Sequence, residues 1–200
     1  MKKLFEKYQT DKTKYSNFYD YWLKPKQFEN VLEIGAYLGG SMRAWKEAWP
    51  KARVYGIESD INLRNKSPDL DIFVGDQKDI GFLNGVIDNI DSPDLIVDDG
   101  GHKMSQQITS FEVLFPRLKS GGYYIIEDLE TSYMSDWIDQ SETTINFLKK
   151  LVDSVNFNGK SHAGENGVLD VEGRGEQVSY YTKNISQIIF SNNICLIIKK

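Results

Sequence analysis

From residue 30 onward, short apolar runs alternate with stretches of helical spacing. Asn30 to Ile34, Arg53 to Ile57, Asp71 to Val74, Leu95 to Val97 and Tyr123 to Ile126 each read as a strand. Glycine or an acidic residue follows every one of them. Between the strands, Met42, Trp45 and Trp49 share a helical face, with Ser41 as the expected N-cap and Pro50 as the stop. Leu83, Val86, Ile87 and Ile90 repeat that spacing, and so do Met104, Ile108, Phe111, Phe115 and Leu118. Continuous apolar strands between amphipathic helices predict a parallel α/β sheet covered on both faces. Ile185 to Phe190 and Ile194 to Ile198, parted by Ser191-Asn-Asn193, predict a closing antiparallel hairpin. Asp139, with Glu142 after it, looks like a capping signal for a helix bearing Ile145, Leu148, Val152 and Val155. The stretch 156–176, rich in glycine and containing His162, reads as a loop or lid. Residues 1–29 hold Tyr15, Tyr19, Tyr21 and Trp22 and read as a helical segment packed beside the sheet. No linker divides the chain, so one domain is expected over 1–200, with its core at 30–200.

Composition narrows the setting. Two hundred residues, 40% apolar and 26% charged, suit one globular domain with a full core. The net charge of −5 argues against nucleic-acid binding, which needs a basic face. Met1-Lys-Lys-Leu-Phe-Glu-Lys-Tyr8 has no apolar stretch after its lysines, so it does not read as a secretory signal. No run approaches the roughly 20 apolar residues of a membrane span. The single Cys195 lies in an apolar strand and reads as a core thiol, which makes a reducing cytoplasm the expected location.

The chemistry lies where the strands end. Asp98, Asp99, His102, Glu127 and Asp128 fall after two neighbouring apolar runs, and open α/β sheets bind ligands outside the carboxyl ends of their strands. Hard carboxylate oxygens beside one histidine suggest a Mg²⁺-type metal next to a general base. At the other strand ends stand Glu33, the turn Gly35-Ala-Tyr-Leu-Gly-Gly40, Glu58, and Gly75-Asp-Gln77. The turn lacks the Gly-x-Gly-x-x-Gly of dinucleotide binders. Glu33 suits a cationic ligand and would repel a pyrophosphate. Glu58 can accept from ribose hydroxyls, and Asp76 and Gln77 can meet an adenine edge.

Together these spaced signals resemble the S-adenosylmethionine site of class I methyltransferases. Val31-Leu-Glu-Ile-Gly-Ala-Tyr-Leu-Gly-Gly-Ser41, Gly75-Asp-Gln77, Asp98-Asp-Gly-Gly-His102, Leu114-Phe-Pro116 and Ile126-Glu-Asp128 occur in order. They are similar to the metal-dependent sugar O-methyltransferases of antibiotic biosynthesis, the macrocin and mycinamicin type. Thr10-Asp-Lys12 and Thr131-Ser-Tyr133 fit as well, so the resemblance runs from about residue 8 to the end. It implies a Rossmann-like fold with a mostly parallel seven-stranded sheet. It implies S-adenosylmethionine near Thr10, Glu33, Gly35, Tyr37, Gly39, Ser41, Glu58, Asp76, Gln77 and Asp98. It implies Mg²⁺ or another divalent metal on Asp99, Glu127 and Asp128, with His102 as the base and Asp99 beside it in the catalytic set. The implied reaction moves a methyl group to a hydroxyl of a sugar or sugar-containing acceptor.

The sequence departs from the family at a few points. Tyr15 and Asn17 stand where members often carry a histidine, and Gly101 replaces a frequent serine. The chain also reads as a bare catalytic domain, without the long N-terminal domain of the mycinamicin type. The acceptor is therefore expected only as a small molecule or glycan bearing a sugar hydroxyl. A homo-oligomer is implied by the resemblance, with no interface located. Three alternatives stand beside this reading. A catechol-type O-methyltransferase would have Asp-Asn where Glu127-Asp128 stands, and a lysine base. A non-haem iron hydroxylase would need two histidines and a carboxylate, from His102 and His162 alone. A non-catalytic cofactor-binding protein would not need the base and metal ligands.

Overall fold

The computed structural model describes residues 1–156 and 179–200. The expected loop or lid at 156–176, His162 included, lies outside the described residues apart from Asn156, which ends a helix. The elements run α1 (Lys2–Lys7), α2 (Ser16–Trp22), β1 (Asn30–Ile34), α3 (Gly40–Ala48), β2 (Arg53–Glu58), α4 (Ile61–Asn65), β3 (Asp71–Val74), α5 (Ile80–Asp88) and β4 (Leu95–Asp98). Then follow α6 (Met104–Leu114), β5 (Tyr123–Ile126), α7 (Thr144–Asn156), α8 (Tyr180–Asn184), β6 (Ile185–Ser191) and β7 (Ile194–Lys199).

Among the described residues the strands form one seven-stranded sheet in the order β3-β2-β1-β4-β5-β7-β6. Strands β1 to β5 pair in parallel, and β7 runs antiparallel between β5 and β6. The expected mostly parallel sheet with a closing hairpin is what forms. Register decides where the chemistry emerges. Ile34 lies beside Ile57 and Asp98, and Asp98 beside Ile126. The residues that follow these strands therefore leave the sheet along one edge. The strand order reverses between β1 and β4, and a crevice opens at such a switch point.

Successive side chains of a strand face opposite sides, so each central strand feeds two cores. Leu32, Ile34, Ile96, Tyr124 and Ile126 pack with α5, α6 and α7. Val31, Leu95, Val97, Tyr123 and Ile125 pack with α1, α2 and α3, around Trp45 and Tyr19. Burial on both faces explains why these strands read as unbroken apolar runs. The stripe from Met104 to Leu118 is buried throughout. Cys195 is buried, and burial pushes its thiol well up, as befits a core residue.

Several local expectations are corrected. Ser41 lies inside α3, and the N-cap is Gly39 at φ +74°. A left-handed backbone there favours glycine, which the search for a hydroxyl cap overlooks. Asp139 does not cap α7; its carboxylate accepts from the backbone N–H of Ser105 at 3.0 Å and so serves α6. The N-terminal segment is not one helix but two short ones joined by a 3₁₀ turn over Asp11–Tyr15.

Candidate functional site

A cavity of about 990 Å³ opens over the carboxyl ends of β3, β2, β1 and β4. The β1 turn forms its floor. Gly35 sits at φ +86°, and a Cβ there would lie 1.9 Å from the carbonyl oxygen of Asp99. The turn after β1 and the loop after β4 thus touch through backbone, which a side chain would block. Tyr37 is also left-handed, at φ +48°. Its backbone N–H donates to Glu58 Oε2 at 2.7 Å, while Asp60 N–H donates to Oε1 at 3.0 Å. Glu58 is therefore fixed at the rim with lone pairs to spare.

Of the residues expected at the cofactor, Thr10, Gly35, Tyr37, Ser41, Glu58, Asp76 and Gln77 line this cavity, as do Asp99 and His102. Gly39 stays behind the turn as the α3 cap. Glu33 and Asp98 do not reach the wall. Glu33 is fully buried, accepts from Trp45 Nε1 at 3.1 Å, and pairs with Lys12 Nζ at 3.2 Å. The cation it meets is the chain's own. Burial raises its carboxyl, with Lys12 pulling the other way. Asp98 is fully buried and accepts from Gln77 Nε2 at 3.1 Å. Burial lifts its carboxyl to about 7 against the pull of Gln77 and the Gly100 N–H. The Gln77 amide also donates to Ser110 and accepts from the N–H of Gly101 at 2.6 Å, so its polar atoms brace the loop after β4.

Past β4 the site becomes charged. Asp99, His102 and Asp128 offer ligand atoms that all lie within 4.8 Å of one another. His102 Nε2 is 3.6 Å from Asp128 Oδ2 and 3.9 Å from Asp99 Oδ1. Both His102 and Asp128 adopt left-handed backbone, at φ +57° and +54°. Such conformations in residues other than glycine gather at functional sites. Trp137 stands edge-on to the His102 ring at 5.7 Å between centroids. Glu127, expected as the third ligand, is fully buried and lies apart from that trio. Its Oε1 accepts from Lys12 Nζ at 3.1 Å and from the Tyr19 hydroxyl, and its Oε2 has no partner among the described residues. Burial raises its carboxyl, opposed by Lys12.

The missed residues are those that hold this cluster. Lys12 is fully buried among Asp99, Glu127 and Glu33. Burial alone would lower its ammonium, but the three acids keep it well above the ordinary lysine value. Lys14 Nζ and the Tyr15 hydroxyl each donate to Asp128 Oδ1 at 2.6 Å. Burial would raise Asp128, yet these two donors hold its carboxyl below the usual range. The sequence signal for them is Thr10-Asp-Lys12, which marks the family resemblance without showing that its lysine is buried.

No family model matches the chain. Solved structures do. The MycE methyltransferase of the mycinamycin pathway, determined with Mg and SAH, aligns with a TM-score of 0.83 at 27% identity over 99% of this chain and 54% of its own. The fold is that of a class I methyltransferase. A second MycE structure holds Mg, SAH and mycinamycin VI and aligns at 0.82. Among curated proteins, the 8-demethyl-8-α-L-rhamnosyl tetracenomycin-C 2′-O-methyltransferase of Streptomyces olivaceus is 38% identical over 136 residues, 62% of this chain and 36% of that protein. The mycinamicin VI 2″-O-methyltransferase of Micromonospora griseorubida is 35% identical over 140 residues, 62% of this chain and 35% of that protein. The methyltransferase fold here thus spans about half of the solved relative and about a third of the curated ones. The likeness to sugar O-methyltransferases read from the motifs is shown. No described helix is long and apolar enough to cross a membrane.

Proposed function

We propose that this chain is the methyl-transferring unit of an S-adenosylmethionine-dependent, divalent-metal O-methyltransferase acting on a sugar hydroxyl. One observation carries the reading: the carboxylates of Asp99 and Asp128 converge with the His102 imidazole at the rim of a cavity over the sheet's switch point. Hard oxygen donors and one imidazole suit Mg²⁺, which keeps open positions for water or substrate oxygens. Glu127 stands outside that trio but shares the Lys12 ammonium with Asp99, and its buried Oε2 has no donor among the described residues, which is costly for a carboxylate oxygen. Asp99, Asp128 and Glu127 are the residues that would hold the cation.

When bound, the cofactor supplies an electrophilic sulfonium methyl and the metal lowers the pKa of a hydroxyl placed on it. The chain's own residues do the rest. Glu58, fixed by two backbone N–H groups, accepts from ribose hydroxyls. Gly35, by letting the β1 turn lie against the backbone of Asp99 and Gly100, holds the cavity floor and the Asp99 loop together. His102 Nε2 faces the carboxylate pair and is placed to take the proton of an acceptor hydroxyl. Holding acceptor and donor in line can remove about 7–11 kcal/mol of barrier at best. The printed activities of the relatives point to a glycosylated small molecule as acceptor.

Calorimetric titration with S-adenosylmethionine, with and without Mg²⁺, tests the reading. Micromolar binding of the cofactor, followed by methylation of a sugar acceptor only when Mg²⁺ is present, is the expected result. Folded protein that binds neither would overturn it.

A further inference from the structure

The three acids at the ends of β4 and β5 share a pattern that their own strands do not explain. Each gives one oxygen to the N-terminal segment and keeps the other. Asp99 offers Oδ2 to Lys12 and leaves Oδ1 toward His102. Asp128 offers Oδ1 to Lys14 and Tyr15 and leaves Oδ2 toward His102. Glu127 offers Oε1 to Lys12 and Tyr19 and leaves Oε2 without a partner among the described residues.

The local fold of the segment produces this. The Thr10 side chain accepts from Lys12 N–H at 3.4 Å and starts the 3₁₀ turn over Asp11–Tyr15. Residues three apart eclipse in such a turn, so Lys12 and Tyr15 share a face. Tyr19, four residues further and inside α2, continues the stripe. Its ring is wedged between Phe5 and Trp45, at 5.5 and 5.3 Å between centroids, so the hydroxyl has little freedom.

We propose that Lys12, Tyr15 and Tyr19 are positioning residues, a clasp that turns one oxygen of each of these carboxylates toward the divalent cation. This rests on the metal reading above. Donors to ligating carboxylates fix their orientation, and losing one typically costs 10–100-fold in metal affinity. The two tyrosines are neutral, so their hydroxyls act by aim and not by net charge.

The test uses the full chain as wild type, Tyr19→Phe and Tyr15→Phe/Tyr19→Phe, titrated calorimetrically with MgCl₂, with CaCl₂ and with S-adenosylmethionine. Phenylalanine keeps the ring packing. We expect Mg²⁺ to weaken about tenfold in the single variant and about a hundredfold in the double, by the same principle. Ca²⁺, which tolerates irregular ligand geometry, loses less. Cofactor affinity and melting temperature stay close to wild type. Mg²⁺ affinity in the double variant within about twofold of wild type overturns the clasp while leaving the metal reading in place. A parallel loss of Mg²⁺, Ca²⁺ and cofactor also overturns it, since that marks general loosening. Wild type that binds cofactor but no Mg²⁺ overturns the metal reading, and the clasp with it.

Discussion

The two halves of the site are built from different material. Over β1, β2 and β3 the cavity wall is turn backbone, fixed between adjoining strand ends: a left-handed glycine, a left-handed tyrosine, and Glu58 held by the N–H of Asp60 and, 21 positions away, of Tyr37. Over β4 and β5 the site is side-chain charge, fixed by partners about a hundred residues away. Lys12 and Asp99 are 87 positions apart, Tyr19 and Glu127 are 108, and Tyr15 and Asp128 are 113. The first half is set by backbone between neighbouring strand ends. The second exists only once the N-terminal segment has docked. A backbone-built wall tolerates side-chain exchange and fails at its glycines. A charge-built wall fails at its ion pairs, because removing one charge of a buried pair costs roughly 3–5 kcal/mol.

The largest effect should come where the halves touch. Gly35→Ala adds a Cβ that collides with the Asp99 carbonyl and forces alanine into left-handed backbone. The conformational penalty alone is about 1–3 kcal/mol. The collision adds to it, so the melting temperature should fall by about 5–10 °C. Cofactor and metal affinity should drop together. Calorimetric titration of both ligands checks this, and a variant with normal cofactor binding would show that the halves do not share that wall.

Asp99→Ala separates them. It removes one carboxylate from the trio and one anchor of Lys12, so Mg²⁺ binding and metal-dependent turnover should be lost. The turnover deficit should be at least about a hundredfold, equivalent to roughly 2.7 kcal/mol. Cofactor affinity should stay within about threefold, because the remaining cavity wall does not depend on that carboxylate. Equal loss of both ligands would mean the boundary between the halves is drawn in the wrong place.

His102→Ala sharpens the division within the charged half. As a base, His102 should contribute about 10²–10⁴-fold to the chemical step. Its loss should then lower kcat in that range while Mg²⁺ affinity holds. A matching fall in Mg²⁺ affinity would instead make His102 a ligand, as its distance from both carboxylates permits.

The same contrast sets what could be read from the sequence. Strands β1 to β5, the stripe from Met104 to Leu118 and the closing hairpin announce themselves by periodicity, because both sheet faces are buried. Asp99, His102 and Asp128 were legible because acids after apolar strands must gather at one sheet edge. The short α4 and α8 carry no stripe long enough to register. The Lys12 partner of Glu33 was not legible, because a strand-end acid reads the same whether it meets a ligand or a buried lysine. Lys12 could not be paired, since nothing local tells a lysine in a Tyr- and Lys-rich stretch that it will be buried against three acids. The tyrosines read as packing residues; their rings do pack, and the hydroxyls of Tyr15 and Tyr19 make contacts that apolar spacing does not encode.

The smallest effect belongs to a contact that serves the charged half from outside. The Asp139 carboxylate accepts from the N–H and hydroxyl of Ser105, tying the stretch after β5 to the first turn of α6. It acts as an N-cap supplied from a distance, beside Trp137 and hence His102. Asp139→Ala should cost about 1 kcal/mol, the usual value of a lost cap, and lower the melting temperature by about 2–4 °C. Burial opposes the charge, but the two Ser105 donors together outweigh it and hold the carboxyl below its ordinary value. A carboxylate lowered on folding adds stability that is present above its unfolded pKa and lost as the pH falls through the folded one. The gap between wild type and variant should therefore be constant near neutrality and close below about pH 4, the unfolded aspartate value. Melting curves taken across that range decide it. A gap that persists into acid would show that Asp139 acts through packing, and the tie to α6 would no longer account for how His102 is steadied.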